Sequence, residues 1–167
     1  MKKTIIAITA IMAMISCNRS NPFFSEWDTP YGIPPFEQIQ ERDYLPAVKE
    51  GIARQQAEIQ AIIDNPEAPD FENVIAAMDR SGALLGKVIG VLFNVSESDS
   101  NDNLNKIVET AMPLISEHSS SINMNAELFA KVKAVYEADQ SGLSREQQML
   151  LKDTYDSFVE NGIGLDA

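Results

Sequence analysis

The stretch that most constrains this chain runs from Pro66 to Leu92, PEAPDFENVIAAMDRSGALLGKVIGVL. Phe71, Val74, Ile75, Met78, Leu85, Val88, Ile89 and Leu92 recur at three- and four-residue steps, which is one face of an amphipathic α-helix. Asp70 stands before the first of them, where an N-cap carboxylate can accept from the free N–H groups of the first turn. Gly82, Gly86 and Gly90 fall four apart, on one line down that helix. Each costs roughly 1 kcal/mol relative to alanine in a helix interior. The line predicts another backbone packed closely against it, so a bulky residue at Gly86 should destabilise. Lys87 interrupts the apolar run far short of the ~20 residues that a membrane span needs.

Other stripes of the same period follow in order. A helix is expected from about Tyr44 to Ile63, with Asp43 as N-cap and Pro46 in its first turn, where the missing N–H costs little. Its buried residues are Leu45, Val48, Ile52, Ile59, Ile62 and Ile63, and Asp64-Asn65-Pro66 ends it, because a residue before proline avoids the helical region. A third helix spans roughly Leu104 to Ile122, with Leu104, Ile107, Val108, Ala111 and Ile115 inward and Pro113 placed to kink or break it. Asn125 caps a fourth, whose inner face is Leu128, Phe129, Val132, Val135 and Tyr136. Ser144 and Gln147 form a capping-box pair before a fifth, with Leu151, Tyr155, Phe158 and Val159. Asn161-Gly162 ends that helix. No stretch alternates with period two. The fold class expected is all-α, about five amphipathic helices packed by their stripes.

Composition removes several functions. With 167 residues and 44% apolar content the chain can bury a core. Its formal charge of -12 leaves no basic footprint for nucleic acid. One cysteine excludes an internal disulfide, and one histidine, His118, excludes an HExxH zinc-peptidase helix, which needs two. His118 shares a face with Leu104, Ile107 and Ile115 and reads as a hydrogen-bonded core residue. Asp99 and Asp102 lie in a polar run, Ser96 to Asn103, that lacks the EF-hand pattern and reads as a solvated turn. There is no P-loop, GxGxxG or nucleophile elbow. No catalytic or metal-binding residue is assigned.

The N-terminus reads as a signal peptide over residues 1–16, with Lys2 and Lys3 before a short apolar segment, Thr4 to Ile15. Met14-Ile15-Ser16-Cys17 resembles a bacterial lipobox, which makes Cys17 the expected lipid attachment site and the periplasmic side of the cell envelope the expected location. A multiply acylated terminus has enough chains for stable anchoring. Residues 17–35 form a Pro-rich tether or extended arm, and 36–167 a helical region. The arm also carries Phe23, Phe24, Trp27 and Tyr31, which a plain tether does not need. Part of it should therefore pack along the folded body, with Trp27 as an anchor.

A set of residues in fixed order carries a family resemblance. It runs Pro35-Phe36, Ile39, Asp43, Pro46-Ala47, Asn65-Pro66, Phe71-Glu72-Asn73, Arg80-Ser81-Gly82, Asn101-Asp102, Pro113, Ser116, His118, Asn125, Leu128-Phe129, Val132-Lys133, Glu146-Gln147, Leu150-Leu151, Tyr155, Phe158-Val159 and Gly162. The pattern resembles the N-terminal helical region of the thimet oligopeptidase family of zinc metallopeptidases, in its bacterial peptidyl-dipeptidase (dipeptidyl carboxypeptidase) and oligopeptidase A branch. Asp70 replaces a frequent Thr there, and Met78-Asp79 a common Leu-Glu. The resemblance implies a larger two-lobed helical enzyme whose channel admits short peptides. Its zinc is held by an HExxH helix and a downstream Glu, in family members beyond the position of Ala167. The expectation is an N-terminal fragment of a periplasmic zinc peptidyl-dipeptidase, inactive by itself. Its expected partners are short peptides, the missing catalytic part of the same protein, and the membrane through the lipid. The alternative is a free-standing helical lipoprotein that binds a peptide or a protein.

Overall fold

A computed structural model describes residues 19–163. Helix and turn account for all of their regular structure, so the chain is all-α as expected. Helix α1 runs Glu41–Asp64, a short α2 Ala77–Arg80, α3 Ala83–Ser98, α4 Asp102–Asn123, α5 Ala126–Glu137 and α6 Arg145–Glu160. No helix among the described residues is long and apolar enough to cross a membrane.

Helix α1 is the axis of the fold. Its 24 residues span roughly 36 Å at 1.5 Å per residue, long enough to serve two cores in succession. The first half packs against α3 and α4, the second against α5. Tyr44, Ala47 and Val48 join Leu85, Val88, Leu92, Leu104 and Ile107 in one apolar cluster. Ile59 and Ile62 join Val74, Ile75, Leu128, Val132, Leu151 and Phe158 in another. The predicted stripes are all represented, although Val159 stays 41% exposed. Tyr136 and Tyr155 stack with ring centroids 4.0 Å apart where α5 meets α6.

Three local expectations need correction. Helix α1 begins at Glu41 with Gln40 as N-cap, so Asp43 is an N3 residue. Its carboxylate reaches back to accept from the Gln40 N–H at 2.7 Å, the second half of a capping box, which an N-cap assignment from sequence misses. The α4 helix continues through Pro113 without ending. The Pro66–Leu92 stretch is not one helix. Asp70 does cap it, accepting from Asn73 N–H at 2.7 Å while Asn73 Oδ1 accepts from Asp70 N–H at 2.9 Å. Phe71–Ala76 is then wound as a wide π-helical turn, and the chain breaks at Ser81-Gly82.

Gly82 sits at φ 71°, in the left-handed region that glycine adopts without penalty. Its N–H, orphaned at the start of α3, donates to Glu58 Oε2 at 2.7 Å. A carboxylate from α1 thus supplies the cap and a favourable charge at the α3 N-terminus. The break lets one sequence stripe feed both cores: Val74 and Ile75 enter one, Leu85 to Leu92 the other.

The glycine line is therefore not a packing seam. Gly82 lies outside α3, and a Cβ placed at Gly86 or Gly90 would meet nothing within 4 Å. The close approach of two backbones is at Gly51 of α1, whose added Cβ would lie 2.9 Å from Leu85 Cα, while a Cβ at Gly82 would meet the Gln55 side chain at 2.4 Å. Gly86→Ala is expected to stabilise by about 0.4–1 kcal/mol, by restricting the unfolded chain and removing a poor helix former from open space. A urea-denaturation midpoint that falls would show that the position is crowded.

The arm packs against the first core. Phe23 is buried at 1% exposure and contacts Trp27 and Tyr44 at centroid distances of 6.1 and 5.5 Å. Trp27 Nε1–H donates to the Pro22 carbonyl at 3.0 Å, and Lys87 Nζ lies 3.9 Å over the Trp27 ring while donating to the Ser25 carbonyl at 2.8 Å. Arg19 pairs with Asp43 at 3.1 Å. Trp27 is an anchor as expected, but the deepest one is Phe23.

Candidate functional site

Between the two apolar clusters lies a polar seam built by α1, the Ser81-Gly82 break and α4. Gln55 stands midway along α1, on the same side as Gly51 and Glu58 at helical spacing. Its side chain crosses to His118 of α4, with Oε1 2.9 Å from Nε2, and to Ser81 Oγ at 3.3 Å. Ser81 Oγ donates to the Met78 carbonyl at 2.7 Å, so it accepts from the Gln55 amide N–H. The Gln55 oxygen then faces His118, which assigns the proton to Nε2 from the network. His118 Nδ1 is left as a lone-pair acceptor, buried and without a hydrogen-bond partner among the described residues.

His118 is thus a hydrogen-bonded core residue, at 4% exposure, as its place on the α4 stripe suggested. Burial pushes its imidazole pKa below the ordinary value. A cleft of about 380 Å³ opens beside it, lined by Gln55, Gly86, Ile89, Ile115 and Ile122. This arrangement can position helices, but it offers no nucleophile beside a base and no charged pair poised for proton transfer.

The seam predicts a pH dependence. The folded imidazole has a pKa below that of the unfolded chain, about 6.5. The unfolded state therefore binds more protons as pH falls below that value, and stability drops with it. The contribution is fully present above pH ~6.5 and is lost progressively below. Urea midpoints at pH 7.5 and pH 5 should differ more in the wild type than in His118→Gln; equal differences would assign the loss to carboxylates alone.

The described residues do not fit a zinc centre. The chain has one histidine. Its Nε2 is committed to Gln55, and among the described residues no group of three His, Cys, Asp or Glu side chains could hold a metal ion. Asp99 ends α3, with its N–H bonded to the Val95 carbonyl at 2.8 Å, and Asp102 lies in the first turn of α4. The solvated turn between them is capped by Asn101, which accepts from Asn103 and Leu104 N–H groups. Cys17 and the signal segment lie outside the described residues. Gln55 and Glu58 were not singled out from the sequence, and Ser81 entered only within the Arg80-Ser81-Gly82 motif of the family resemblance. Their exposed-looking positions on a helix or at its end carry no signal without the tertiary partner.

No protein-family model matches the chain. A dipeptidyl carboxypeptidase of Escherichia coli (strain K12) is 39% identical over 146 residues, covering 87% of this chain and 21% of that protein. Its Salmonella typhimurium counterpart is 36% identical over 147 residues, 87% of this chain and 22% of that protein. Oligopeptidase A of Salmonella typhimurium is 22% identical over 138 residues, 82% of this chain and 20% of that protein. The chain thus spans about a fifth of the length of these curated relatives. Over most of its length this chain is a homologue of the dipeptidyl carboxypeptidase and oligopeptidase A family of peptidases, in keeping with the N-terminal helical region that its residues resemble.

Proposed function

We propose that this chain forms a helical wall of a zinc peptidyl-dipeptidase that releases dipeptides from the free C-termini of short peptides. The observation that carries the reading is the 39% identity over 146 residues to a dipeptidyl carboxypeptidase. The zinc ligands and general base of such an enzyme would come from polypeptide outside these 167 residues, because the donor set here cannot supply them. By this reading the 167 residues alone do not hydrolyse peptides. Their contribution is shape: two cores strung on α1, held in register by the Gln55–His118 seam. The whole enzyme takes short peptides as substrates and the rest of the polypeptide as its packing partner. Lipid on Cys17 would hold it at the periplasmic side of the cell envelope.

A second reading draws on residues 31–36, at the end of the arm and just after it, where Tyr31 is fully exposed, Ile33 51% and Phe36 52%. Exposed apolar side chains grouped in sequence suit an interface, and in a free-standing lipoprotein they would meet a peptide or a partner protein. The DNA after codon 167 separates the two. A continuing frame that encodes HExxH is expected under the peptidase reading. A stop codon with no neighbouring peptidase segment overturns it and leaves the binding module.

A further inference from the structure

Helix α3 shows solvent a face unlike those of its neighbours. From Ala83 to Asn94 its exposed positions are Ala83, Gly86, Gly90 and Asn94, none of them charged. The one basic side chain of the helix, Lys87, is turned to the arm, where it donates to the Ser25 carbonyl at 2.8 Å and lies over the Trp27 ring. By contrast α1 exposes Lys49 and Arg54, and α6 exposes Lys152 and Asp153, as solvated helix faces ordinarily do. Gly86 and Gly90 sharpen the difference. Glycine is a poor helix former, and neither residue has the positive φ that would call for it. A Cβ at either would meet nothing within 4 Å, so no packing among the described residues needs the missing side chains. Two glycines four apart on one face do allow another backbone to lie close along the helix.

The cleft of about 380 Å³ beside the Gln55–His118 pair reaches this face at Gly86. Ile89 of α3 and Ile115 and Ile122 of α4 give it apolar walls, and no Asp, Glu, Lys or Arg lines it. His118 lines it too, 4% exposed, with an Nδ1 that has no hydrogen-bond partner among the described residues. A buried acceptor without a donor is costly, and the missing donor is one that an occupant of the cleft can bring. The neutral lining excludes a peptide terminus as that occupant, because a carboxylate or an ammonium would be desolvated there without a partner.

We propose that the α3–α4 face seats a helix of the polypeptide that completes this protein. That helix crosses α3 over Gly86 and Gly90 and places in the cleft a neutral side chain whose O–H or N–H donates to His118 Nδ1. Under the peptidase reading, on which this seat depends, the protein extends far past the matched stretch, which is 21% of the Escherichia coli relative. Polypeptide of that extent needs apolar surface to pack on, and here it finds close approach with no charge to desolvate.

The test is hydroxyl-radical footprinting read by mass spectrometry, on the 167-residue chain and on the same chain joined to the polypeptide encoded after it. Ile89 and Ile115 should be labelled in the chain alone and lose most of that labelling in the joined form. Gly86→Glu, whose side chain has open space in the chain alone, should leave that chain's circular dichroism unchanged yet restore the labelling in the joined form. Gly90→Glu decides if the first variant disturbs the isolated fold. The ¹⁵N resonance of His118 Nδ1, identified by its loss in His118→Gln, should move on joining to that of a hydrogen-bonded acceptor. Dipeptide release by the joined form without protection of the two isoleucines overturns this seat and leaves the peptidase reading standing; protection without release does the reverse. Labelling indifferent to both glutamates, an unmoved Nδ1 resonance, or protection in the chain alone through pairing of two copies would also overturn the seat. A frame that stops at codon 167 with no peptidase segment nearby removes the occupant and overturns both.

Discussion

Phe23→Ala is expected to lower the stability of the folded chain by about 3–5 kcal/mol, the range for removing a buried aromatic side chain. Such a loss is large against the ~5–15 kcal/mol by which domains of this size are stable. The residue belongs to a Pro-rich segment that by composition is a tether, yet its ring is 1% exposed and sits among Tyr44, Val48, Leu92 and Leu104. The turn that holds it is itself fixed. Asn21 Oδ1 accepts from the Phe23 N–H at 3.0 Å, and Asn21 Nδ2–H donates to the Asp43 carbonyl at 2.8 Å. The surroundings cannot collapse easily onto the space left behind, because α1 and α3 both border it. Urea denaturation followed by circular dichroism measures the effect. A change below about 1 kcal/mol would mean that the arm is an ornament on a core complete without it.

Gly51→Leu is expected to cost about 3 kcal/mol by overpacking. An added Cβ at Gly51 would approach Leu85 Cα to 2.9 Å and Leu85 N to 3.0 Å, and both are backbone atoms that cannot rotate aside. Helices α1 and α3 would have to separate, loosening the contacts of Val48, Leu85 and Val88. The contrast with Gly86→Ala, next to Leu85 in α3 but facing open space, isolates packing from helix propensity. Leucine at Gly51 recovers about 1 kcal/mol of propensity. The net loss therefore reports that the steric term wins. A stabilised variant would show that the helices are further apart than described.

These two sites show what the sequence could and could not disclose. Periodicity alone placed the inner faces of α1, α4, α5 and α6, because a stripe at three- and four-residue steps is a local property. Caps at Asp70, Asn125 and Ser144 were equally legible, each accepting from a backbone N–H one turn ahead. The same reasoning failed where a distant partner decides. The apolar stripe from Phe71 to Leu92 has unbroken helical period, yet Glu58 takes the Gly82 N–H and the chain turns there. Three glycines in line suggested a close helix contact, whereas the contact is made by Gly51, which stands alone in its helix. The Gln55–His118 seam was half visible. His118 fell on an apolar face, but nothing near it in sequence named Gln55, which lies 63 positions away. The family resemblance, carried by scattered residues in order, was legible and is matched by the homologues. The single histidine rules out an HExxH helix within these 167 residues.

The most direct measurement is dipeptide release from an N-blocked tripeptide in the presence of zinc, by the 167-residue chain alone and by the same chain joined to the polypeptide encoded after it. The account predicts no release by the chain alone and release of the C-terminal dipeptide by the joined form. Hydrolysis by the 167 residues alone, or a joined form that carries HExxH and still releases nothing, would contradict it.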